Sequence, residues 1–475
     1  MAYIAGPDRS QAILLPEVLD DYVRADNPVR FLDVFVAQLD VTALGFQRAG
    51  PAETGRPGYD PGDLLRLYLY GYRHRIRSSR RLEQETPRTM ELLWRRRRLT
   101  PDFKTLADFR RDHPEALKRV GRAFVLLGRR LELFGGELLA IDGSKFRAVN
   151  ARDRSYTPAR LATLQRDSDR TLARYLRELE RQDQVEAGTA TPSAGALREK
   201  ITAVQQRRAG YEALQEAMAA RGETARSLTD PDSRPMMSGG RIESCYNVQT
   251  AVDAKHKLIL AEDVTNAAGD RDQLSPLATA AQAVRGGATP VVVADQGSSH
   301  GAEIKTGVEA GRNPLVPRPL PSANEARGRF TKDDFRYDPG ADVYRCPAGE
   351  TLTYRSTTIE LGRTIKHSRT RAGGRCALKP RCTGNRDGRK LTRWVDEHLL
   401  EEMAPRLQHD PALFAQRKVL SEHPFGTMKR GMDQGYFLLQ GLRKVRGEFS
   451  LTSLAYNLKR VITILGVPRL LDALA

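Results

Sequence analysis

The chain has 475 residues, a hydrophobic content of 40% and a formal net charge of +18 at pH 7. Its length predicts two to four domains, or one domain with large insertions. The excess of Lys and Arg favours a polyanionic partner, with nucleic acid ahead of an acidic membrane surface. The four scattered cysteines argue against a secreted disulfide scaffold, and neither a long apolar run nor an export signal is found. We therefore expect a protein of a bacterium-like cytoplasm, associated with the nucleoid and not with a membrane.

The first part of the chain, residues 1–134, is predicted to be helical. Asp60 with Pro61 is typical of a helix start, and Thr105 with Asp108 predicts a capping box for a later helix. Two basic runs occur there, one containing Arg77, Arg80 and Arg81 and the other being Arg95–Arg98. Because phosphate neutralisation supplies much of the affinity for DNA, the runs indicate a helical DNA-binding domain, with a solvated charged face as the alternative.

Two apolar runs that lie far apart in the chain each lead into an aspartate. Leu138–Asp142 and Val291–Asp295 both predict a short buried strand that ends on a carboxylate. A third acid, Glu422, lies in a segment of helical character. Three carboxylates from distant segments are the ligands that two Mg²⁺ ions, or Mn²⁺ in their place, need for phosphoryl transfer. Taken one at a time, each Asp is also typical of a plain turn.

Basic residues flank the third acid at helical spacing. Lys429 follows Glu422 by two helical turns and Lys418 precedes it by one turn, so we expect the three side chains on one helix face. Pro424 disfavours helical backbone at the residue before it. The helix is therefore expected to begin near Ser421 or to kink there.

The segments between the acids predict a core that is interrupted twice. The predicted order is a first core strand at 135–150, a helical hairpin at 151–232, further core at 240–300, an insertion of strand and loop at 301–409 and C-terminal helices at 410–475. The helical hairpin has a coiled-coil pattern, and its apolar stripe is expected to be only a packing seam. Within the further core, Tyr246–Asp253 and Leu258–Ala261 predict a strand hairpin.

Three cysteines, Cys346, Cys376 and Cys382, fall in the second insertion. They are one ligand short of a Cys₄ zinc site unless His367 completes it. Unliganded cysteines are the favoured interpretation, ahead of a structural zinc. Cys245 lies in a predicted strand and is expected to be a small buried hydrophobe.

Several motifs match one known family over nearly the whole chain. They are Gly55–Pro61, Arg77–Glu83, Leu99–Phe103, Asp108–Asp112, Ile141–Gly143, Tyr246–Asp253, Ala294–Asp295, Glu422–Gly426 with Lys429, and Gly441–Arg460. On these residues the chain resembles bacterial insertion-sequence transposases of the DDE type. The resemblance implies an α/β fold: an RNase H-like mixed-sheet catalytic core with an N-terminal helical domain, a coiled-coil-like helical hairpin insertion and a second loop and strand insertion.

The resemblance also implies an activity and a set of residues. Asp142, Asp295 and Glu422 would be catalytic and would hold two Mg²⁺ ions. The protein would act as a homodimer on double-stranded DNA, cut the ends of its own element at terminal inverted repeats and transfer the freed 3′-OH to target DNA. The implied DNA contacts are Lys429, Lys418, Arg417, Arg430, Asn247, Gln249, Arg77, Arg80 and Arg81. The Arg of the family's Tyr–Arg–Glu–Lys signature falls either at Lys418 or, one residue earlier, at Arg417.

Two other functions compete with this interpretation. The first is a metal-dependent nuclease that cuts without strand transfer. The second is a DNA-binding protein without catalysis, such as an inactive remnant that represses its relatives. Joined products from supplied 3′-OH ends would separate the transposase from the nuclease.

Overall fold

The structure is a computed structural model that describes residues 18–47, 58–96, 100–185, 192–287, 289–295, 300–317, 327–370, 372, 376–386, 388–409 and 411–475. Parts of the predicted features lie outside these ranges: the turn before Tyr59, the end of the second basic run at Arg97–Arg98, and the link between the two hairpin helices at 186–191. In the described part of the chain, none of the helices is long and apolar enough to cross a membrane.

The chain is a mixture of helices and strands. The helices are α1 (Pro28–Ala37), α2 (Pro61–Arg73), α3 (Ser79–Glu85), α4 (Met90–Arg96), α5 (Phe103–Asp112), α6 (Pro114–Arg130), α7 (Pro158–Val185), α8 (Pro192–Ala220), α9 (Leu274–Arg285), α10 (Gly301–Glu309), α11 (Lys379–Cys382), α12 (Glu397–His409), α13 (Pro411–Gly426), α14 (Leu442–Leu465) and α15 (Val467–Asp472). The strands are β1 (Leu138–Arg147), β2 (Ser155–Tyr156), β3 (Arg226–Ser227), β4 (Arg234–Ser238), β5 (Arg241–Asp253), β6 (Ile259–Thr265), β7 (Val291–Ala294), β8 (Asn313–Leu315), β9 (Arg336–Asp338), β10 (Val343–Arg345), β11 (Thr351–Glu360), β12 (Arg363–Arg369) and β13 (Lys390–Trp394).

The N-terminal helices begin at side-chain caps. Asp60 accepts a hydrogen bond from the backbone of Gly62 at 2.6 Å and Pro61 occupies the first turn of α2, as the sequence predicted. The predicted capping box in α5 is wrong. Asp102 is the cap, because its carboxylate accepts from the backbone of Lys104 at 2.9 Å and of Thr105 at 3.0 Å.

The central sheet has mixed strand directions. Its order is β4–β5–β1–β7–β8, and β6 also pairs with β5. β1 runs antiparallel to β5 and parallel to β7, and β7 runs parallel to β8. The predicted strand hairpin is confirmed as β5 and β6. Since β8 lies after residue 300, the sheet extends into the segment that the sequence assigned to the second insertion.

Helix α14 joins the N-terminal helices to the central sheet. It packs against α2, α6 and β6, and its buried residues include Phe449, Tyr456 and Leu458. Asn457 receives a hydrogen bond from the backbone N–H of Ile259 at 2.9 Å and donates to its carbonyl at 2.8 Å. One hydrophobic cluster therefore runs from the N-terminal helices through α14 to one face of the sheet.

Two further substructures leave the core. Helices α7 and α8 pack on each other, and the short ladder of β2 with β3 closes their base, in agreement with the predicted helical hairpin. A separate sheet with the order β13–β12–β11–β10–β9 follows α10 and β8. Its β11–β12 hairpin carries exposed apolar residues near the turn, with Ile359 78% exposed.

Candidate active site

Asp142 and Asp295 lie side by side at one edge of the central sheet. The parallel register of β1 and β7 pairs Ile141 with Ala294; Asp142 is the next residue of β1, and Asp295 directly follows β7. Burial raises the pKa of Asp142 above its usual range, and the neighbouring charge of Asp295 raises it further. Two neighbouring carboxylates, one of them buried, are suited to share a cation.

The first strand does not end at Asp142, as the sequence predicted, but continues to Arg147. The glycine that follows the aspartate therefore has a packing role and not a turn role. A side chain at Gly143 would collide with the Gln249 amide and the Asp270 carboxylate, which lie against the strand. Asp142 is consequently fixed within a continuous ladder, between β5 on one side and β7 on the other.

Helix α13 supplies the positive charge beside this acidic pair. The Nη1 atom of Arg417 lies 3.4 Å from Oδ2 of Asp142, and both side chains are less than one-fifth exposed, at 17% and 19%. Ser421, one turn later, is buried with its hydroxyl within reach of the same carboxylate. Both groups lower the pKa of Asp142, although burial outweighs them. The basic residue that faces the aspartates is therefore Arg417. Lys418 points to solvent, with its side chain 71% exposed.

Glu422 does not join the two aspartates in this structure. Its side chain is 66% exposed, and its carboxylate lies 4.0 Å from the ammonium group of Lys418. Successive residues of an α-helix point about 100° apart, so the inward direction of Ser421 turns Glu422 outward. Within the described residues, no group of three or more His, Cys, Asp or Glu side chains could hold a metal ion. The expectation that the three acids meet is therefore wrong for this conformation.

Lys429 was expected on the same helix face as Glu422, but it points into the protein. Its ammonium group donates to the Ser144 hydroxyl at 2.7 Å and to the Lys145 carbonyl at 2.8 Å. Burial lowers its pKa below the usual range of lysine. A π-helical turn at Thr427–Gly431 changes the rotation per residue, which separates the two side chains. Lys429 thus fixes the π-helical turn after α13 to the strand that carries Asp142.

Asn247 and Gln249 were expected to contact DNA, and the structure places both inside the protein. They are 0% and 1% exposed, and their amides donate to Asp270 at 2.6 Å and 2.5 Å. Gln249 pairs with Gly143 across the β1–β5 ladder, so both amides lie on the sheet face opposite to Asp142. In this structure they position Asp270 and do not form a surface for DNA.

The basic residues of the N-terminal helices divide into buried and exposed groups. Arg77 is 5% exposed and forms an ion pair with Glu448 of α14 at 2.9 Å, which corrects its expected role as a DNA contact. Burial alone would lower the pKa of Arg77, but Glu448 outweighs this effect and raises it. Arg80 and Arg81 are exposed on α3, and Arg430 is exposed after α13. These three remain available for a charged partner.

The cysteines of the second insertion lie around one small cavity. Cys346, Cys376 and Cys382 all line it, together with Arg389 and Phe335. Burial raises the pKa of the Cys382 thiol, and the other two thiols add to this rise. His367 bonds to Thr358 at 2.7 Å, on the β11–β12 hairpin, and does not complete the set. Cys245 is fully buried in β5, as predicted, and burial raises its pKa to about 11.

Sequence reasoning missed Ser421, Ser144 and Asp270. Ser421 carried one usable signal, because it stands four residues after Arg417 and so shares its helix face. Ser144 stands two residues after Asp142 on the same strand, which places both on one sheet face. Asp270 lies in a loop, and no periodicity marks it.

Two separate segments of the chain match known transposase families. Residues 17–112 match the family described as "Transposase domain (DUF772)", and residues 345–462 match the family described as "Transposase DDE domain". No curated protein matches the chain. The second match contains Glu422, Arg417 and Lys429, whereas Asp142 and Asp295 lie outside both segments.

Both matches are to transposase families, and they support a transposase. More narrowly, the two matches support an insertion-sequence transposase of the DDE type.

Proposed function

We propose that this transposase binds the terminal inverted repeats of its own insertion sequence, cleaves DNA there and transfers the freed 3′-OH to target DNA. The observation that carries the proposal is the adjacency of Asp142 and Asp295 at the edge of the sheet. Two carboxylates held together against their own repulsion are the donor set that hard divalent cations prefer. Their partial burial makes the pair costly without a counter-charge.

Asp142 and Asp295 would hold Mg²⁺, and Mn²⁺ could replace it. Bound divalent cations supply charge stabilisation to the phosphoryl-transfer transition state and lower the pKa of the attacking water. Arg417 supplies the counter-charge to Asp142 in this conformation. Lys429 holds the strand of Asp142 through Ser144 and the Lys145 carbonyl. Lys418, Arg430, Arg80 and Arg81 are exposed and would contact DNA phosphates.

Glu422 is the proposed third acid, and it reaches the other two only if α13 changes its rotation. The Pro424 ring and the π-helical turn that follows interrupt regular helical hydrogen bonding there. Prolines and π-helical turns are the sites where helices change direction. In the proposed active form, Arg417 yields its place beside Asp142 as Glu422 turns inward. Two element ends must be held together during transposition, so the active form is at least a dimer on DNA.

The second candidate is a DNA-binding protein without catalysis. The outward position of Glu422 and the ion pair of Arg417 with Asp142 favour it, since together they leave only two acids at the site. Such a protein would occupy the repeats of its relatives and repress their movement.

Cleavage of a labelled DNA end that carries the flanking repeat separates these functions. The natural protein is compared with Asp142→Ala, Asp295→Ala and Glu422→Ala, in Mg²⁺, in Mn²⁺ and in EDTA. The proposal expects cleavage by the natural protein only with metal, and repeat binding without cleavage by all three variants. Binding without cleavage by the natural protein in both metals would establish the non-catalytic function instead. Cleavage without joined products from supplied 3′-OH ends would establish a nuclease.

A further inference from the structure

Helix α7 carries a row of arginines along its solvent face. The row consists of Arg166, Arg170, Arg174, Arg177 and Arg181, and all of them are exposed. Their spacing of three and four residues places them on one side of the helix. At 1.5 Å per residue the row is about 22 Å long, which corresponds to about six base pairs of a duplex. We call it the α7 arginine row.

Most of this positive charge is not neutralised within the protein. Arg170 pairs with Asp167 at 2.7 Å and Arg181 with Glu178 at 2.9 Å, but these pairs are highly exposed and therefore weak. In the described part of the chain, Arg166, Arg174 and Arg177 form no ion pair. The acidic Asp169 and Glu212 are instead bound by Arg208 of α8, on another side of the hairpin.

The other side of α7 is already occupied. Its apolar residues, such as Leu161, which is fully buried, face α8. A helix that binds a membrane surface inserts its apolar face between lipids. Most of that face of α7 is covered by α8, although Leu176 is 42% exposed, so the α7 arginine row fits a nucleic acid backbone better than a membrane.

The base of the hairpin connects the row to the candidate active site. The hairpin follows β1, the strand that carries Asp142 at its middle, and α7 begins 11 residues after that strand ends. The base is held by the β2–β3 ladder, by Tyr156 against Tyr211 and by Arg160, whose guanidinium lies 5.3 Å from the Tyr156 ring. These contacts fix the base of the hairpin, which follows in the chain the strand that carries Asp142.

From these observations we infer that the α7 arginine row is a second DNA-binding surface, which grips the phosphate backbone without reading sequence. It acts on duplex DNA beyond the segment held by the N-terminal helices. The inference concerns binding alone, so it does not depend on the proposed cleavage reaction.

The test measures binding of the full chain in EDTA to a fluorescent 40-base-pair duplex that lacks the repeat, by anisotropy across a salt series. The variant carries Arg166→Gln, Arg174→Gln and Arg177→Gln. A matched control carries Arg198→Gln, Arg207→Gln and Arg221→Gln, which removes the same charge from exposed positions of the same hairpin outside the row. A third variant replaces Arg166, Arg174 and Arg177 with Lys.

The row variant is expected to bind about 10- to 100-fold more weakly than the control near 100 mM salt. Its slope of log affinity against log salt should fall by about 2 to 3, because each lost phosphate contact removes about 0.9. The Lys variant should retain most of the binding. Equal affinity and slope in the row variant and the control would overturn the inference. So would loss of binding to phosphatidylserine vesicles in the row variant with unchanged DNA binding. Circular dichroism melting checks that each variant is folded, and repeat cleavage measured in parallel reports separately on the catalytic proposal.

Discussion

The ion pair between Arg77 and Glu448 should be the most sensitive polar contact between the N-terminal helices and α14. The two side chains are 5% and 0% exposed and lie 2.9 Å apart. Glu448 also accepts from the backbone N–H groups of Leu438 at 3.0 Å and Leu439 at 2.8 Å. Arg77 donates in addition to the carbonyls of Asp433, at 3.1 Å, and Tyr436. One carboxylate therefore satisfies a buried cation and two backbone donors.

Glu448→Ala should lower the free energy of unfolding by about 4 kcal/mol or more. Removing one partner of a buried pair costs about 3–5 kcal/mol, because the other charge stays buried, and each orphaned backbone donor adds about 1 kcal/mol or more. Glu448→Gln keeps the volume and one acceptor, so its cost should be smaller, about 2–3 kcal/mol. Adding Arg77→Met to Glu448→Gln should recover part of that loss, because it removes one of the two buried cations that Glu448 compensates, Arg77 and Arg110.

Urea unfolding followed by tryptophan fluorescence measures this effect. The chain contains two tryptophans, and Trp94 lies in α4 among the N-terminal helices. A background of Trp394→Phe therefore makes the signal specific to that region. If Glu448→Ala shifted the transition by less than about 1 kcal/mol, Arg77 would have to be solvated in solution, and the buried pair would be refuted. If the double variant were less stable than Glu448→Gln alone, the uncompensated charge would not be the cause of the loss.

Three further predictions concern the site and the core. Gly143→Ala should lower the free energy of unfolding, measured in urea, by about 1–3 kcal/mol, because the new methyl group displaces Gln249 or Asp270. In the control Gly121→Ala, in α6, the new methyl group meets nothing within 4 Å, so the free energy of unfolding should change by less than about 1 kcal/mol. Glu262, which accepts from Ser450 at 2.8 Å, has a pKa raised by burial. The stabilising contribution of Glu262 is complete below its pKa in the unfolded chain and is lost as pH rises through its pKa in the folded protein. Glu262→Gln should therefore be more stable than the natural protein by about 1 kcal/mol at pH 8, and its free energy of unfolding should lose that pH dependence. Equal pH profiles of the two proteins in unfolding titrations would contradict this. In the conformation described, Arg417 lowers the pKa of Asp142, so Arg417→Gln should move the rising limb of the pH profile of kcat/KM for cleavage, which reports the free protein, to higher pH. Repeat binding in EDTA should stay the same, and an unmoved limb would show that Asp142 ionisation does not control the rate.

The sequence by itself determined the features that are encoded locally. The cap at Asp60 with Pro61, the helices α7 and α8 and the β5–β6 hairpin follow from periodicity and turn residues, which act over a few neighbours. The alignment of Asp142 with Asp295 also followed from sequence, because two apolar runs that end alike fit adjacent strands of one sheet. Each of these features depends on spacing along the chain.

Only the tertiary structure decided where the polar side chains point. A helical spacing of seven residues placed Glu422 and Lys429 on one face, yet a π-helical turn and the contacts of Lys429 with β1 separate them. Arg77 has the same local pattern as Arg80, but Glu448, far along the chain, draws it into the interior. The free energy of a charged side chain depends on the partner and the solvent that it meets, and these are set by elements that pack together only after folding.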